Sequence, residues 1–314
     1  MTPRFRHLKR FRRSIRVLLV AISVILCVGV VATKRHEVGA ALRQLDPAIV
    51  VLAFVLVLGA TVMMMLSWRV LLRDLGSPLA IRPSARVFFL AQLGKYIPGS
   101  VWPLLAQVEL GREHGVPGRR SGVVGVIAMI VSLLAALLVA AVTLPLFSPV
   151  AAHRYWWVFV TVPFLLALLH PRLFNPMLAR VFRLARREPP DSRLTGRGLG
   201  LSLCWSIAAW IAYGAQVWLL VRDLGVTAPR AVPLAIGSFA LAWAVGFLVV
   251  IAPAGAGARE AALTVGLAPV LQPGAALLVA LISRILLTGA DLLLAVLAVS
   301  SERRRRRSTE VRSI

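Results

Sequence analysis

Residues 253–260 read Pro-Ala-Gly-Ala-Gly-Ala-Arg-Glu and lie in the middle of the apolar stretch 231–270. Proline removes a backbone donor and glycine admits unusual dihedral angles, so this segment breaks a helix inside a hydrophobic run. A second apolar stretch, 83–110, is broken in the same way by Pro98 and Gly99. Non-helical backbone at membrane depth is tolerated only where it faces protein or a watery cavity. The two breaks therefore predict a membrane protein with an internal polar site.

The composition of the whole chain excludes a water-soluble enzyme. Its 314 residues are 59% hydrophobic and 15% charged, with a mean hydropathy of +0.84, whereas soluble domains are roughly half apolar and a quarter charged. There is no glycine-rich nucleotide loop, no HExxH motif and no GxSxG motif. Cys27 and Cys204 lie inside apolar runs, which argues against a disulfide framework or a zinc site. We therefore expect no enzymatic activity, no metal and no cofactor.

Six apolar runs are candidate membrane spans, which take roughly 17–25 helical residues, although the run at 155–170 is short. They are about 15–32, 47–68, 121–146, 155–170, 198–221 and 274–299. We interpret the first run as a retained anchor because no small-residue cleavage site follows it. Each broken stretch is either a re-entrant hairpin or a pair of spans. Together these segments predict one transmembrane domain over 15–300.

The basic residues predict the orientation of the chain in the membrane. The chain has 36 Lys+Arg against 12 Asp+Glu, a net charge of +24, and because the basic residues lie between apolar runs they indicate topology rather than nucleic-acid binding. Twenty-seven of them fall in segments that we assign to the cytoplasm, and six fall in the segments opposite. The cytoplasmic segments are the tail to residue 16, 69–86, 111–120, the linker 171–197 and the tail 301–314. We expect a plasma-membrane protein whose basic tails, 1–14 and 301–314, are both cytoplasmic.

An internal repeat accompanies the two breaks. The sequence Arg-Asp-Leu-Gly occurs at 73–76 and again at 222–225, each time after an apolar run and before a broken stretch and a long span. The charge argument orients the two halves, about 47–146 and 198–299, in opposite directions. Inverted repeats around Pro/Gly-broken helices are typical of secondary transporters. The predicted fold class is an all-α polytopic membrane protein, an inverted repeat with two re-entrant hairpins.

The first break carries an isolated cation. Lys95 lies one turn before Pro98 and is either a cation for a lipid phosphate or a side chain that extends to the cytoplasmic interface. Glu109 follows on the second arm of the same stretch. It pairs with Lys95 or Arg112, or it marks the exit of the chain into water.

The second break carries an Arg–Glu pair. We expect a helix to begin near Ala256, with Arg259 in its first turn. The free N–H groups of the 255–258 backbone and the guanidinium fork then suit a phosphate. The alternative is a structural pair of Arg259 with Glu260 that fixes the hairpin to its neighbours.

The last span carries two further ionisable residues. Arg284 and Asp291 are seven residues apart and therefore lie on one face of a helix. Their candidate partners across the bundle are Glu260 for Arg284 and Arg259 for Asp291. Such a charge network is either structural or a path for protons.

The two broken stretches resemble a known family. Residues 94–102 (GKYIPGSVW) and 253–260 resemble the two signatures of the transmembrane flippase-like domain of lysylphosphatidylglycerol synthases, and the resemblance extends over about 15–300. Ala254 departs from the glycine usual in the family, and no soluble synthase domain follows the membrane part. The resemblance implies lipid translocation rather than aminoacyl transfer. The expected headgroup-binding residues are Lys95, Tyr96, Pro98, Gly99, Pro253, Gly255, Gly257, Arg259 and Glu260.

The sequence therefore predicts translocation of an anionic or phosphate-bearing lipid between membrane leaflets. The alternative is a non-transporting membrane scaffold for a separate lipid-modifying enzyme. An intramembrane enzyme is disfavoured because clustered His, Asp and Ser residues are lacking. Membrane lipids are the expected partners and nucleic acid is not. For a protein partner, the alternatives are a second copy of the chain or a separate lipid-modifying enzyme.

Overall fold

A computed structural model describes residues 43, 45–97, 101–147, 163–164, 167, 170–184, 194–248, 255 and 257–312. Every secondary-structure element in these ranges is helical. The predicted first span at 15–32 and most of the run at 155–170 lie outside the described residues, as do Pro98, Gly99 and Pro253.

The described chain forms nine α-helices and one short 3₁₀ helix. In chain order the α-helices are α1 (Pro47–Asp74), α2 (Ile81–Gln92), α3 (Trp102–Arg112), α4 (Gly118–Phe147), α5 (Pro171–Leu184), α6 (Gly196–Asp223), α7 (Ala231–Leu248), α8 (Ala258–Leu267) and α9 (Pro273–Arg312). The 3₁₀ helix, Leu93–Tyr96, directly follows α2.

Five of these helices are long and apolar enough to cross a membrane: α1, α4, α6, α7 and the first 28 residues of α9. Four of them coincide with the predicted runs at 47–68, 121–146, 198–221 and 274–299. The fifth, α7, is the first arm of the broken stretch 231–270. The prediction of an all-helical, multi-pass membrane protein is therefore confirmed.

Both Arg-Asp-Leu-Gly segments end a 28-residue helix, α1 in one case and α6 in the other. In each segment the glycine adopts a positive φ, +81° at Gly76 and +93° at Gly225. This left-handed position just after the last turn is a common way to end a helix, and glycine occupies it without steric cost. The repeated tetrapeptide is therefore a helix-stop signal.

The aspartates of these two segments join α1 to α6 at both ends. Asp74, the last residue of α1, accepts hydrogen bonds from the backbone N–H and the hydroxyl of Thr195, the residue that caps α6, at 2.8 and 2.7 Å. Reciprocally, Asp223 at the end of α6 accepts a hydrogen bond of 2.7 Å from the N–H of Asp46, the residue that caps α1. The two helices are therefore antiparallel, and each closes the first turn of the other.

Hydroxyl groups hold the middle of the α1–α6 interface. The Ser67 hydroxyl lies 2.8 Å from that of Ser202 and 2.9 Å from that of Ser206. One turn and a half earlier on α1, the Thr61 hydroxyl lies 2.9 Å from the Tyr213 hydroxyl. Small hydroxyl residues let helix backbones approach closely in an apolar environment while their polar groups remain satisfied.

The arms of the first broken stretch are short. Helices α2 and α3 have 12 and 11 residues, so each is about 18 Å long or less, against about 30 Å for the hydrocarbon core of a bilayer. Gly94 brings the two arms together, because a Cβ atom at this position would lie 2.8 Å from the backbone nitrogen of Pro103. In the second broken stretch α8 has only 10 residues.

Candidate functional site

The two breaks face one cavity of about 220 Å³ inside the helical bundle. The first break contributes Lys95 and Ile97 to its lining. The second contributes Gly246, at the end of α7, together with Gly255 and Arg259. Residues that are more than 150 positions apart in the sequence are thus brought to a single site.

Two glycines shape the second break. Gly255 has a φ of +68° and packs so closely on α7 that a Cβ atom there would lie 2.7 Å from the Cα of Gly246. Gly257 has a φ of +83° and is the residue that caps α8. Helix α8 therefore begins at Ala258, two residues later than predicted, and Arg259 occupies its first turn.

The guanidinium of Arg259 is half-buried and lies over the ring of Phe239, 4.8 Å from the ring centroid. In the part of the chain that the structure describes, it has no hydrogen bond and no ion pair with a carboxylate. The candidate pair of Arg259 with Asp291 is not formed, because Asp291 pairs with Lys95. The aromatic face offsets part of the cost of burying the cation.

Glu260 is occupied within the protein. Its carboxylate accepts a hydrogen bond of 2.6 Å from the N–H of Gly257, the residue that caps α8. This is one half of a capping box, since glycine has no side chain to supply the other half. It also pairs with Arg284 of α9, as the sequence led us to expect. The Gly257 N–H is therefore already bound to a carboxylate. This amide is not free for an anion, which differs from the predicted role of the 257 backbone.

Asp291 belongs to the first break. It is 3% exposed, and one of its oxygens lies 2.7 Å from the Lys95 ammonium and 2.6 Å from the Tyr96 hydroxyl. Sequence reasoning missed this contact because Tyr96 and Asp291 are 195 residues apart. Lys95 thus neither extends freely to the interface nor pairs with Glu109. Glu109 lies 3.5 Å from Arg112, and both side chains are exposed.

The ionisable residues at the site have a net charge of one positive unit. Both carboxylates are paired, Asp291 with Lys95 and Glu260 with Arg284. Arg259 is the remaining cation, and Lys95 and Arg259 are the charged residues among those that line the cavity in the described chain. The described lining of the cavity therefore carries a net positive charge, and an arginine fork has the chemistry to bind an anion.

Aromatic side chains, which sequence reasoning did not assign to the site, form much of the cavity wall. Trp243 and Phe247 are one turn apart on α7, and their stacked rings have centroids 5.2 Å apart. The ring centroid of Trp210 lies 4.5 Å from that of Trp243. The only available signal was the spacing of Trp243 and Phe247 just before the break. The aromatic residues of the lining are Trp68, Phe88, Trp210, Tyr213, Trp243 and Phe247.

Comparison with known protein families accounts for almost the whole chain. Residues 15–295 match the family model described as the lysylphosphatidylglycerol synthase TM region. The match includes both breaks and every residue that lines the cavity. No curated protein matches the chain.

Proposed function

The chain belongs to the lysylphosphatidylglycerol synthase transmembrane family, and on this premise we propose that it moves a phosphate-bearing lipid between the two leaflets of the membrane. The observation that carries the proposal is Arg259, a cation without a carboxylate partner among the described residues, in a cavity between two broken helical segments. A buried cation in a membrane protein is costly, and such residues commonly mark a substrate path. The cost is offset when an anionic ligand binds.

In this mechanism the phosphate of the headgroup binds to the guanidinium of Arg259 while the acyl chains stay in the bilayer. A planar fork donates two parallel hydrogen bonds to phosphate oxygens, which fixes the orientation of the headgroup. The paired residues Lys95–Asp291 and Glu260–Arg284 hold the two breaks in place around it. The chain acts without chemical modification of the lipid, so it is not an enzyme in this proposal.

Movement across the membrane requires that the cavity opens to each leaflet in turn. We propose that the halves 47–146 and 198–299 form an inverted repeat that rocks around the site, as in transporters with broken helices. The reciprocal contacts of Asp74 with Thr195 and of Asp223 with Asp46 support this relation. The short helices of the first stretch support a re-entrant hairpin.

Arg259→Ala tests the proposal in proteoliposomes in which headgroup accessibility reports lipid movement. We expect movement to fall to the rate of empty vesicles while the midpoint of thermal unfolding in detergent changes little, because no carboxylate loses its partner. Arg259→Lys keeps the charge but loses the fork, and we expect weak movement. The matched control is Arg230→Ala, since Arg230 is exposed in the turn before α7.

Two results contradict this proposal. Normal lipid movement by a folded Arg259→Ala variant would show that the guanidinium is not needed for transport. A wild-type protein that moves no phospholipid removes the transport function and favours a scaffold for a separate lipid-modifying enzyme.

A further inference from the structure

Two side chains that line the cavity, Trp68 and Gln107, each carry a buried polar atom without a hydrogen-bond partner among the described residues. Resting on the proposed function, we infer that the lipid carries an uncharged, hydroxyl-bearing headgroup, a sugar or a polyol, beyond its phosphate. In this inference Trp68 and Gln107 bind the hydroxyl groups while Arg259 binds the phosphate. The inference names the class of lipid and predicts two residues that select it.

The first atom is the indole nitrogen of Trp68. This side chain is 1% exposed and lines the cavity, and its Nε1–H has no hydrogen-bond acceptor within the described structure. A buried tryptophan N–H normally has a partner. Trp210, in the same wall, follows this rule, because its Nε1–H donates to the carbonyl of Ser132 at 3.0 Å. The indole N–H of Trp68 is therefore a buried donor without an acceptor among the described residues, in a side chain that lines the cavity.

The second atom is the side-chain oxygen of Gln107. Gln107 is 7% exposed, lies on α3 directly after the first break and lines the cavity. Its Oε1 has no donor within the part of the chain described here. It lies against Gly125 of α4, where a Cβ atom would come within 2.7 Å of this oxygen. The absence of a side chain at Gly125 therefore leaves room for the amide.

A donor and an acceptor that are both left open suit a hydroxyl group, which donates one hydrogen bond and accepts others. A positively charged headgroup is matched less well. The carboxylates nearest to the cavity, Asp291 and Glu260, are already paired with Lys95 and Arg284. The charged groups of the described lining are cations, which repel a second ammonium.

Binding of lipids with the same acyl chains and different headgroups tests the inference. The full-length protein in detergent is titrated with dioleoyl phosphatidic acid, dioleoyl phosphatidylinositol and dioleoyl lysylphosphatidylglycerol, and the bound lipid is quantified by native mass spectrometry. We expect the inositol lipid to bind at least about fivefold more tightly than phosphatidic acid, the difference that one hydrogen bond makes. We expect the lysyl lipid to bind no more tightly than the inositol lipid.

Two variants assign the preference to the residues named. Trp68→Phe keeps the ring and removes the N–H, and Gln107→Leu removes the amide oxygen at similar volume. Each should bring the affinity for the inositol lipid towards that for phosphatidic acid and leave the latter unchanged. Trp205→Phe, a half-buried tryptophan outside the cavity lining, is the matched control and should preserve the preference. If Trp68→Phe does not fold, Gln107→Leu decides the test.

The outcomes separate this inference from the proposed function. Equal affinity of the wild-type protein for the inositol lipid and phosphatidic acid overturns the inference, and so does tightest binding of the lysyl lipid. An unchanged preference in folded Trp68→Phe and Gln107→Leu also overturns it. None of these binding results bears on whether the protein moves phosphatidic acid in vesicles. The transport proposal is tested separately by the Arg259 variants.

Discussion

At the scale of single residues, the position of Arg259 depends on a glycine four residues before it. Gly255 combines a left-handed φ of +68° with backbone contact to Gly246, so both its conformation and its missing side chain are used. Gly257 uses its conformation alone, because its missing Cβ would meet nothing within 4 Å. A comparison of alanine substitutions at Gly255 and Gly257 therefore distinguishes the cost of a steric clash from the cost of backbone strain.

Gly255→Ala should destabilise the protein more than Gly257→Ala does. Strain at a left-handed position costs roughly 1–2 kcal/mol, and at 255 the clash with α7 is added. We expect Gly255→Ala to lower the unfolding midpoint and to abolish lipid movement, because the break shifts away from α7 and carries Arg259 with it. Gly59→Ala, a helical position with open space around it, is the control and should be neutral. A Gly255→Ala variant as stable as Gly257→Ala would contradict this account.

Asp291→Asn should destabilise the first break by leaving the Lys95 ammonium without its counter-ion. Breaking a buried pair costs about 3–5 kcal/mol, and we expect less here because the Lys95 side chain is 32% exposed. The double variant Lys95→Met/Asp291→Asn should recover much of the loss. Chemical unfolding in mixed micelles measures both. Additive losses in the double variant would show that the two residues do not form a stabilising pair.

At the scale of elements, α1 and α6 form an antiparallel pair that is tied at both ends by aspartate. The contact at Asp74 is tight, since a Cβ atom at Gly198 would lie 2.3 Å from its carboxylate. Gly198 therefore leaves the space in which the carboxylate reaches the first turn of α6. The helix-stop tetrapeptide thus has a second role, which is to cap the partner helix.

Gly198→Ala should act through Asp74. The added methyl group displaces the carboxylate from Thr195, so we expect a loss close to that of Asp74→Ala, roughly 0.5–2 kcal/mol for a lost cap. The double variant should lose little more than either single variant, because residues that share one interaction are not additive. Gly200→Ala, two residues along α6 with open space around it, is the control. If the losses in unfolding free energy of Gly198→Ala and Asp74→Ala added fully in the double variant, Gly198 would not act through the Asp74 cap.

At the scale of the whole molecule, the apolar helices and the charge distribution determine different properties. The five apolar helices make the chain a multi-pass membrane protein. Its orientation rests on the bias of 27 basic residues against six between the two sides. Retention of positive residues in the cytoplasm is the physical basis for that bias.

Both termini should therefore lie in the cytoplasm. Reporter fusions at residues 1 and 314, one active only in the cytoplasm and one active only outside, measure this directly. We expect cytoplasmic activity at both ends, and replacement of the arginines at 303–307 by glutamine should weaken the retention of the C-terminal end. Termini on opposite sides would contradict the predicted parity of crossings and, with it, the proposed inverted repeat.

The sequence by itself determined the helical class, four of the described spans and the ends of α1 and α6. These properties are local: apolar run length decides whether a helix can cross a membrane, and the two Arg-Asp-Leu-Gly segments end their helices through a glycine. It also indicated both breaks, because proline and glycine interrupt a helix locally, and it named Glu260 as the partner of Arg284.

The tertiary structure alone decided which charges meet at the cavity. Asp291 was within reach of several cations, and only the packing of α9 against the first break places it on Lys95 and Tyr96 instead of Arg259. The open atoms of Trp68 and Gln107 depend equally on neighbours from other helices. A contact between residues far apart in the chain cannot be predicted from a local sequence pattern, because it forms only when the helices pack together.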